Sequence, residues 1–174
     1  CVRRAWLCGT DPDSGQSYEH RKVWLEKRII ELSRWFAVKL VAYAIMSNHY
    51  HVVLESYPKD TANWSDEEVA ERWDRVSVSN CEERRAKIRA DALANPERMA
   101  VIRKRLGNLS WFMSYVNEPL ARLMNKEDEC TGRAWEGRFR SSALLDDPAV
   151  LKCMVYVDLN PVRAGITDNV TDAP

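Results

Sequence analysis

The sequence predicts an α+β sandwich, in which helices pack on one face of an antiparallel sheet. The segments 38–45 and 49–55 are rich in β-branched and aromatic residues and are separated by a tight turn, which is typical of a hairpin. Apolar residues at helical spacing precede the hairpin over 18–36 and follow it over 109–124. The element order strand, helix, hairpin, insertion, helix, strand, helix therefore favours this class.

The first elements of the chain are a short strand and a loop. Residues 2–7 are mixed in polarity, which is typical of an edge strand, and residues 9–15 are dense in turn formers. Because the chain begins with Cys1 inside this strand, we expect further residues upstream that complete it.

Two elements are predicted at the end of the chain. Residues 133–145 have strand character that Gly137 interrupts. Asp147 followed by proline predicts a helix start, with Asp147 as the N-cap. This helix should end near Asn160, because Pro161 disfavours helical backbone at the residue before it.

The composition is that of one globular domain spanning residues 1–174. The chain has 26 basic and 26 acidic residues and 45% hydrophobic residues, the ordinary balance of such a domain. An apolar run of roughly 18 residues, as a membrane span requires, is absent, which excludes a membrane protein. The five cysteines lack zinc-finger or disulfide spacing, so we expect free thiols in a reducing cytosol.

The segment of about 58–108 is polar and charged, and we expect a helical insertion of one or two helices there. Its residues 59–83 carry a net charge of −5, from eight acids and three bases. Residues 84–105 carry +6, from eight bases and two acids. One interpretation is two solvated helix faces that partly neutralise each other; the other is a basic helix that follows a phosphate backbone.

His49 and His51 are separated by one residue in the second strand of the hairpin. Side chains alternate along a strand, so both imidazoles should lie on one face and Tyr50 on the other. Two neighbouring imidazoles could provide two ligands of a metal ion. The alternative is that both rings are simply buried or exposed without a ligand.

Tyr156 and Asn160 lie four residues apart in the last predicted helix, so they share a face. A phenol and a carboxamide placed one turn apart could supply a nucleophile and an oxygen ligand. The alternative is structural, with Tyr156 packing its ring and Asn160 capping the helix end before Pro161.

Together these stretches resemble the REP-associated tyrosine transposases, a group within the single-tyrosine HUH endonucleases. The matching residues are AYAIMSNHYHVVL at 42–54, WEGRFRS at 135–141 and YVDLNPVRAG at 156–165, with YEHR at 18–21 matching one subgroup. The resemblance covers nearly the whole chain and is weakest in the insertion. With it, we expect the sandwich to be of the ferredoxin-like type.

The resemblance implies the chemistry of the site. His49 and His51 fall on the metal-binding pair, Tyr156 on the catalytic tyrosine and Asn160 on the polar third ligand. The implied reaction is cleavage and rejoining of single-stranded DNA near hairpins, through a covalent 5′-phosphotyrosine, with Mg²⁺ or Mn²⁺. It implies a bacterial cytoplasmic protein that acts at the nucleoid, as a monomer or homodimer.

DNA recognition requires further residues, which we expect around the predicted site. Arginines for phosphate and aromatic rings for bases suit single-stranded DNA. The candidates are Arg3, Arg4, Arg133, Trp135, Arg138, Phe139, Arg140 and Arg163. For the two aromatic residues, packing within a strand is an equally good interpretation.

Two other functions are compatible with the same residues. One is a domesticated nucleic-acid-binding protein on this scaffold that no longer cleaves DNA. The other is a metal-dependent hydrolase of small phosphate esters, which would act without a tyrosyl adduct.

Overall fold

The computed structural model describes residues 1–2, 6–76 and 81–163, with the side chains of the last helix described as far as Asn160. The elements are α1 Glu19–Trp35, β1 Val38–Ile45, β2 Tyr50–Ser56, a 3₁₀ turn Asp60–Asn63, α2 Asp66–Val76, α3 Glu82–Leu93, α4 Pro96–Leu106, α5 Leu109–Glu127 and α6 Asp147–Arg163. Among the described residues, no helix is both long and apolar enough to cross a membrane.

The chain divides into two compact units. The first contains Cys1–Lys27, Leu40–Leu54 and the segment that begins at Leu120. The second contains Arg28–Lys39 and Glu55–Pro119, which includes the predicted insertion.

β1 and β2 form the hairpin that the sequence predicted, within one residue at each end. It is two-stranded and antiparallel, and its turn is closed by the Met46 N–H, which donates to the His49 carbonyl at 2.8 Å. In the first unit, α6 packs on this hairpin through Val157, which is 2% exposed and contacts the buried Ala44 and Val53. This contact sets the position of the last helix.

Helices contact both faces of the hairpin. Ala44 lies against α6, whereas the hydroxyl of the next residue back, Tyr43, donates to Glu26 of α1 at 2.5 Å. Neighbouring residues of a strand point to opposite faces. The sequence predicted helices on one face, so α1 adds a contact that the prediction did not include.

The amino-terminal segment holds the hairpin turn in place. The N–H groups of Val2 and Leu7 donate to the carbonyls of Asn48 and Ser47 at 2.7 and 2.6 Å. The buried thiol of Cys8 donates to the Met46 carbonyl, and burial raises the pKa of this thiol to about 11. Cys8 is therefore a neutral hydrogen-bond donor that satisfies a turn carbonyl.

The prediction of a strand over 133–145 is wrong for the region as a whole. Its backbone is irregular and forms one isolated antiparallel bridge, between Val2 and Trp135. A strand is stabilised by ladder hydrogen bonds along its length, and a single bridge with Val2 provides few. Of the first strand predicted over 2–7, Val2 forms this bridge, Trp6 and Leu7 are not in a strand, and residues 3–5 lie outside the described residues.

The limits of α6 differ from the prediction at both ends. Asp146, not Asp147, is the N-cap, because its carboxylate accepts from the Ala149 N–H at 2.7 Å. The helix also continues through Pro161 to Arg163. A proline disfavours helical backbone before it without forbidding it, so Asn160 lies inside the last turn and does not cap the helix.

Arg21, within the YEHR stretch, joins the start of α1 to the end of α5. Its side chain is 1% exposed and donates to Glu127 at 2.6 Å, to Asp128 at 2.5 Å and to the Trp6 carbonyl at 2.9 Å. The Tyr18 ring lies 4.2 Å from its guanidinium carbon. This stretch therefore has a structural role in the first unit.

Glu127 makes the stability of this cluster dependent on pH. Burial would raise the pKa of Glu127, but hydrogen bonds from Arg21 and His20 outweigh it and lower the pKa. A carboxylate whose pKa is lowered by folding stabilises the fold at pH values above its pKa in the unfolded chain. This stabilisation is lost as the pH falls through the pKa of the folded state. We expect Glu127→Gln to lower the free energy of unfolding by about 1 kcal/mol above about pH 5.

This difference between the wild type and Glu127→Gln should shrink as the pH falls further, as measured by urea denaturation at several pH values. A difference that grows towards acid pH would contradict the assignment.

The described part of the predicted insertion contains three α-helices, α2, α3 and α4, where the sequence predicted one or two. The basic segment is not one continuous helix, because α3 ends before Asn95, whose side chain accepts from the Arg98 N–H at 2.9 Å and starts α4. The core of the second unit includes an edge-to-face contact of Phe36 with Phe112, at 5.5 Å between ring centroids.

Asp74 of α2 neutralises part of the basic segment. Its carboxylate is fully buried, with Arg85 Nε 3.1 Å from one oxygen and Arg89 Nε 3.0 Å from the other. Arg75 Nε lies 3.7 Å away. The opposite charges of α2 and α3 thus meet within the unit, which supports the interpretation of mutual neutralisation, although Asp74 is buried and not solvated.

Removing Asp74 should destabilise the protein strongly. Asp74→Ala removes the buried counter-ion of Arg85 and Arg89 and leaves them Glu82, which is 64% exposed. Loss of a buried partner of an ion pair costs about 3 kcal/mol. The matched control is Asp66→Ala, since Asp66 pairs with Arg103 but is 62% exposed. We expect a loss below about 1 kcal/mol for the control. Urea denaturation measures both, and equal losses would refute the role of Asp74.

Candidate functional site

The two histidines lie side by side at the start of β2. The His49 and His51 ring centroids are 4.9 Å apart, and the ring planes are nearly perpendicular at 88°. Both rings are half-buried. The alternation of the strand therefore produces the pair that the spacing predicted, on one face of the hairpin.

Tyr156 joins this pair from α6. Its ring centroid lies 5.8 Å from that of His51, edge to face at 78°. The tyrosine is 47% exposed, whereas the next residue, Val157, is buried against the hairpin. Anchoring of Val157 thus holds the phenol beside the imidazoles and leaves it open to solvent, all within the first unit.

The imidazoles are in the protonation state that a metal ligand needs. Burial lowers the pKa of both histidines, and the charge of His49 lowers that of His51 further. Both rings are therefore neutral at pH 7, and each carries a nitrogen lone pair.

Asn48 determines which nitrogen of His49 carries the proton. The Asn48 Oδ1 atom lies 2.6 Å from His49 Nδ1. An amide oxygen can only accept, so Nδ1 holds the proton and Nε2 keeps the lone pair for a ligand. The residues predicted for the site did not include Asn48. Its position was the available signal, since an asparagine in the turn directly before a histidine can reach that ring.

Asn160 lies one turn after Tyr156 but is engaged within its own helix. Its Nδ2 donates to the Tyr156 carbonyl at 3.0 Å, which leaves Oδ1 as the atom that could reach a metal ion. Among the described contacts, none joins Asn160 to the histidines. Its role as third ligand stays a prediction.

The donor set fits a divalent ion that accepts nitrogen ligands. Among the described residues, there is no group of three or more His, Cys, Asp or Glu that could hold a metal ion. Two neutral imidazoles leave the other positions to the Asn160 oxygen, water and a phosphate. Mn²⁺ tolerates this mixture better than Mg²⁺, which prefers oxygen.

The predicted DNA-binding residues fall into three groups. Trp135 packs on Tyr50, at 5.9 Å between ring centroids, and Tyr50 points away from the imidazoles. Arg138 lies over Phe139, with 5.8 Å from its guanidinium carbon to the ring centroid, and Arg133 and Arg140 are exposed. Arg3 and Arg4 lie outside the described residues, as does the side chain of Arg163.

Packing on Tyr50 is thus the observed environment of Trp135, and its contact with DNA stays a prediction.

Comparison with protein-family models, with curated proteins and with solved structures found no match.

Proposed function

We propose that this protein is a metal-dependent tyrosine transposase that cleaves and rejoins single-stranded DNA next to hairpins. The observation that supports it is the contact of the Tyr156 phenol with His51, itself beside His49. A nucleophile adjacent to a pair of neutral imidazoles is the arrangement that metal-assisted phosphoryl transfer needs. The ferredoxin-like form of the sandwich is part of this proposal.

In this mechanism, His49 and His51 would hold Mn²⁺ or Mg²⁺ through their unprotonated nitrogens, with Asn160 as a further ligand. When bound, the ion would supply positive charge to a non-bridging oxygen of the scissile phosphate. Asn48 keeps His49 in the tautomer whose Nε2 can ligate the ion.

Tyr156 performs the covalent step. Its Oη forms a bond to phosphorus while the bond from phosphorus to the 3′ oxygen breaks. The 3′ oxygen takes up a proton from solvent, which leaves a 5′-phosphotyrosine and a free 3′-hydroxyl. A phenol must lose its proton to attack, and the exposure of Tyr156 allows this proton to pass to solvent. Attack by another 3′-hydroxyl reverses the step, so strands are rejoined without ATP.

The test is an adduct assay with hairpin oligonucleotides that carry single-stranded flanks. We expect a denaturation-resistant protein–DNA band with Mn²⁺ that EDTA abolishes. A 5′-phosphotyrosine retains the strand downstream of the cut, so a 3′-end label should stay in the band and a 5′-end label should be released. Retention of the 5′ label would contradict the chemistry, and hairpin binding without any adduct would favour the non-cleaving alternative.

Asn48→Ala should weaken Mn²⁺ binding about tenfold, because His49 loses the acceptor that fixes its tautomer. Electron paramagnetic resonance of free Mn²⁺ during a titration measures this directly, without DNA. Asn48→Asp keeps an oxygen acceptor and should retain most of the affinity. Asn63→Ala, at an exposed asparagine of the second unit, is the matched control. Wild-type affinity in Asn48→Ala would refute the role of Asn48.

A further inference from the structure

Three aromatic rings and one guanidinium form a cluster on the second unit. Trp73 of α2, Trp111 and Tyr115 of α5 and Arg105 of α4 belong to it. Tyr115 lies 5.7 Å from Trp73 and 6.2 Å from Trp111 between ring centroids. The guanidinium carbon of Arg105 lies 4.1 Å from the Trp111 ring centroid and 5.8 Å from that of Trp73. We call these four residues the Trp–Arg cluster.

The rings of the Trp–Arg cluster are partly open to solvent. All four of its members are half-buried. The core pair of this unit, Phe36 and Phe112, is by contrast fully enclosed. The core of this unit is therefore closed without burial of the Trp–Arg cluster. The rings of the cluster keep exposed surface on which another flat ring could stack.

The charge of Arg105 is also available. Among the described residues, Arg105 forms no ion pair, in contrast to the similar stack of Arg72 on Trp64 at 4.0 Å. Arg72 is neutralised by Glu68 at 2.7 Å and donates to backbone carbonyls. Trp64 and Trp111 of the second unit are thus each stacked with an arginine. A carboxylate compensates the charge of Arg72, whereas none of the described carboxylates pairs with Arg105.

Helix α4, which carries Arg105, has further basic residues. Arg98 and Lys104 are exposed, and within the described part of the chain neither is in an ion pair. Arg103, on the same helix, is bound to Asp66 and to two carbonyls, so it contributes little. The positive charge shown beside the rings is that of Arg105, and it suits an anionic group of a ligand.

We propose that the Trp–Arg cluster binds single-stranded DNA, with unpaired bases stacking on its rings and Arg105 contacting a phosphate. Aromatic rings beside uncompensated arginines provide stacking for bases and charge for the backbone, independent of sequence. Paired bases have their faces covered by their neighbours, so a duplex cannot use these rings. The choice of DNA as the ligand rests on the proposed function, and it gives the second unit a role in binding the substrate strand.

The test is binding of a fluorescein-labelled oligothymidine without a hairpin, in EDTA, followed by anisotropy and by quenching of tryptophan fluorescence. Trp111→Leu should weaken binding about tenfold, because a base loses its stacking surface. Trp64→Leu is the matched control and should bind as the wild type does. Arg105→Gln removes the charge but keeps a polar side chain, and should lower the slope of log affinity against log salt by about 1.

The outcomes separate this inference from the proposed function. Wild-type affinity in Trp111→Leu, with an unchanged salt slope in Arg105→Gln, would overturn the inference even if the tyrosyl adduct forms. Preference of the wild type for a duplex over oligothymidine would overturn it as well. Loss of binding in Trp111→Leu, retained in Trp64→Leu, supports the inference even if the wild type never forms an adduct. If Trp111→Leu is unfolded by circular dichroism, the salt slope of Arg105→Gln decides.

Discussion

Tyr156→Phe is expected to abolish the covalent protein–DNA adduct while hairpin binding persists. The Tyr156 and His51 rings pack edge to face, with 5.8 Å between their centroids, so a phenyl ring preserves this packing. The substitution removes the Oη atom, and with it the sole group of this side chain that can attack phosphorus. Binding should be unchanged, because the side chain keeps its place beside the imidazoles.

The matched control is Tyr50→Phe. Tyr50 precedes His51 in the strand, but its ring lies against Trp135, and alternation points it away from the imidazoles. We expect the Tyr50→Phe protein to form the adduct as the wild type does. Denaturing gels with 3′-end-labelled hairpin DNA measure the adduct, and anisotropy measures binding. An adduct that forms normally in Tyr156→Phe would refute the assignment of the nucleophile.

The sequence predicted those parts of the site that depend on local periodicity. The spacing of His49 and His51 placed both rings on one face, and the apolar pattern of residues 38–45 located β1. Such patterns determine which side of an element a residue occupies. The approach of Tyr156 to His51 is different, because it depends on the packing of Val157 on the hairpin, which is a long-range contact.

Other features depended on contacts that no local pattern encodes. Residues 133–145 have strand-like composition but pair with Val2 through a single bridge. Asp74 sits in an acidic run that looks solvated, yet it is buried because two arginines of the next helix surround it. The tautomer of His49 likewise follows from the orientation of Asn48 in the turn. In each case the observed structure depends on a contact with another residue, and not on the chemical type of the residue alone.

His49→Ala combined with His51→Ala is expected to remove metal-dependent cleavage. Stabilisation of a developing phosphate charge by a bound ion amounts to several kcal/mol, which corresponds to roughly 10³-fold in rate. The His49 and His51 rings are neutral nitrogen donors that lie next to each other. The double substitution therefore removes two candidate ligands at once. Adduct formation should fall to the level of the wild type in EDTA, with no response to Mn²⁺.

His20→Ala is the matched control for this pair. His20 is exposed on α1 and contacts Glu127 at 2.9 Å, so it belongs to the Arg21 cluster and not to the candidate metal pair. Its substitution should leave the Mn²⁺ titration and the adduct yield unchanged. If the double variant cleaves at the wild-type rate with the same Mn²⁺ dependence, the ion is held elsewhere, and the metal role of His49 and His51 is refuted. If the double variant instead cleaves as fast in EDTA as the wild type does with Mn²⁺, Tyr156 acts without a metal ion.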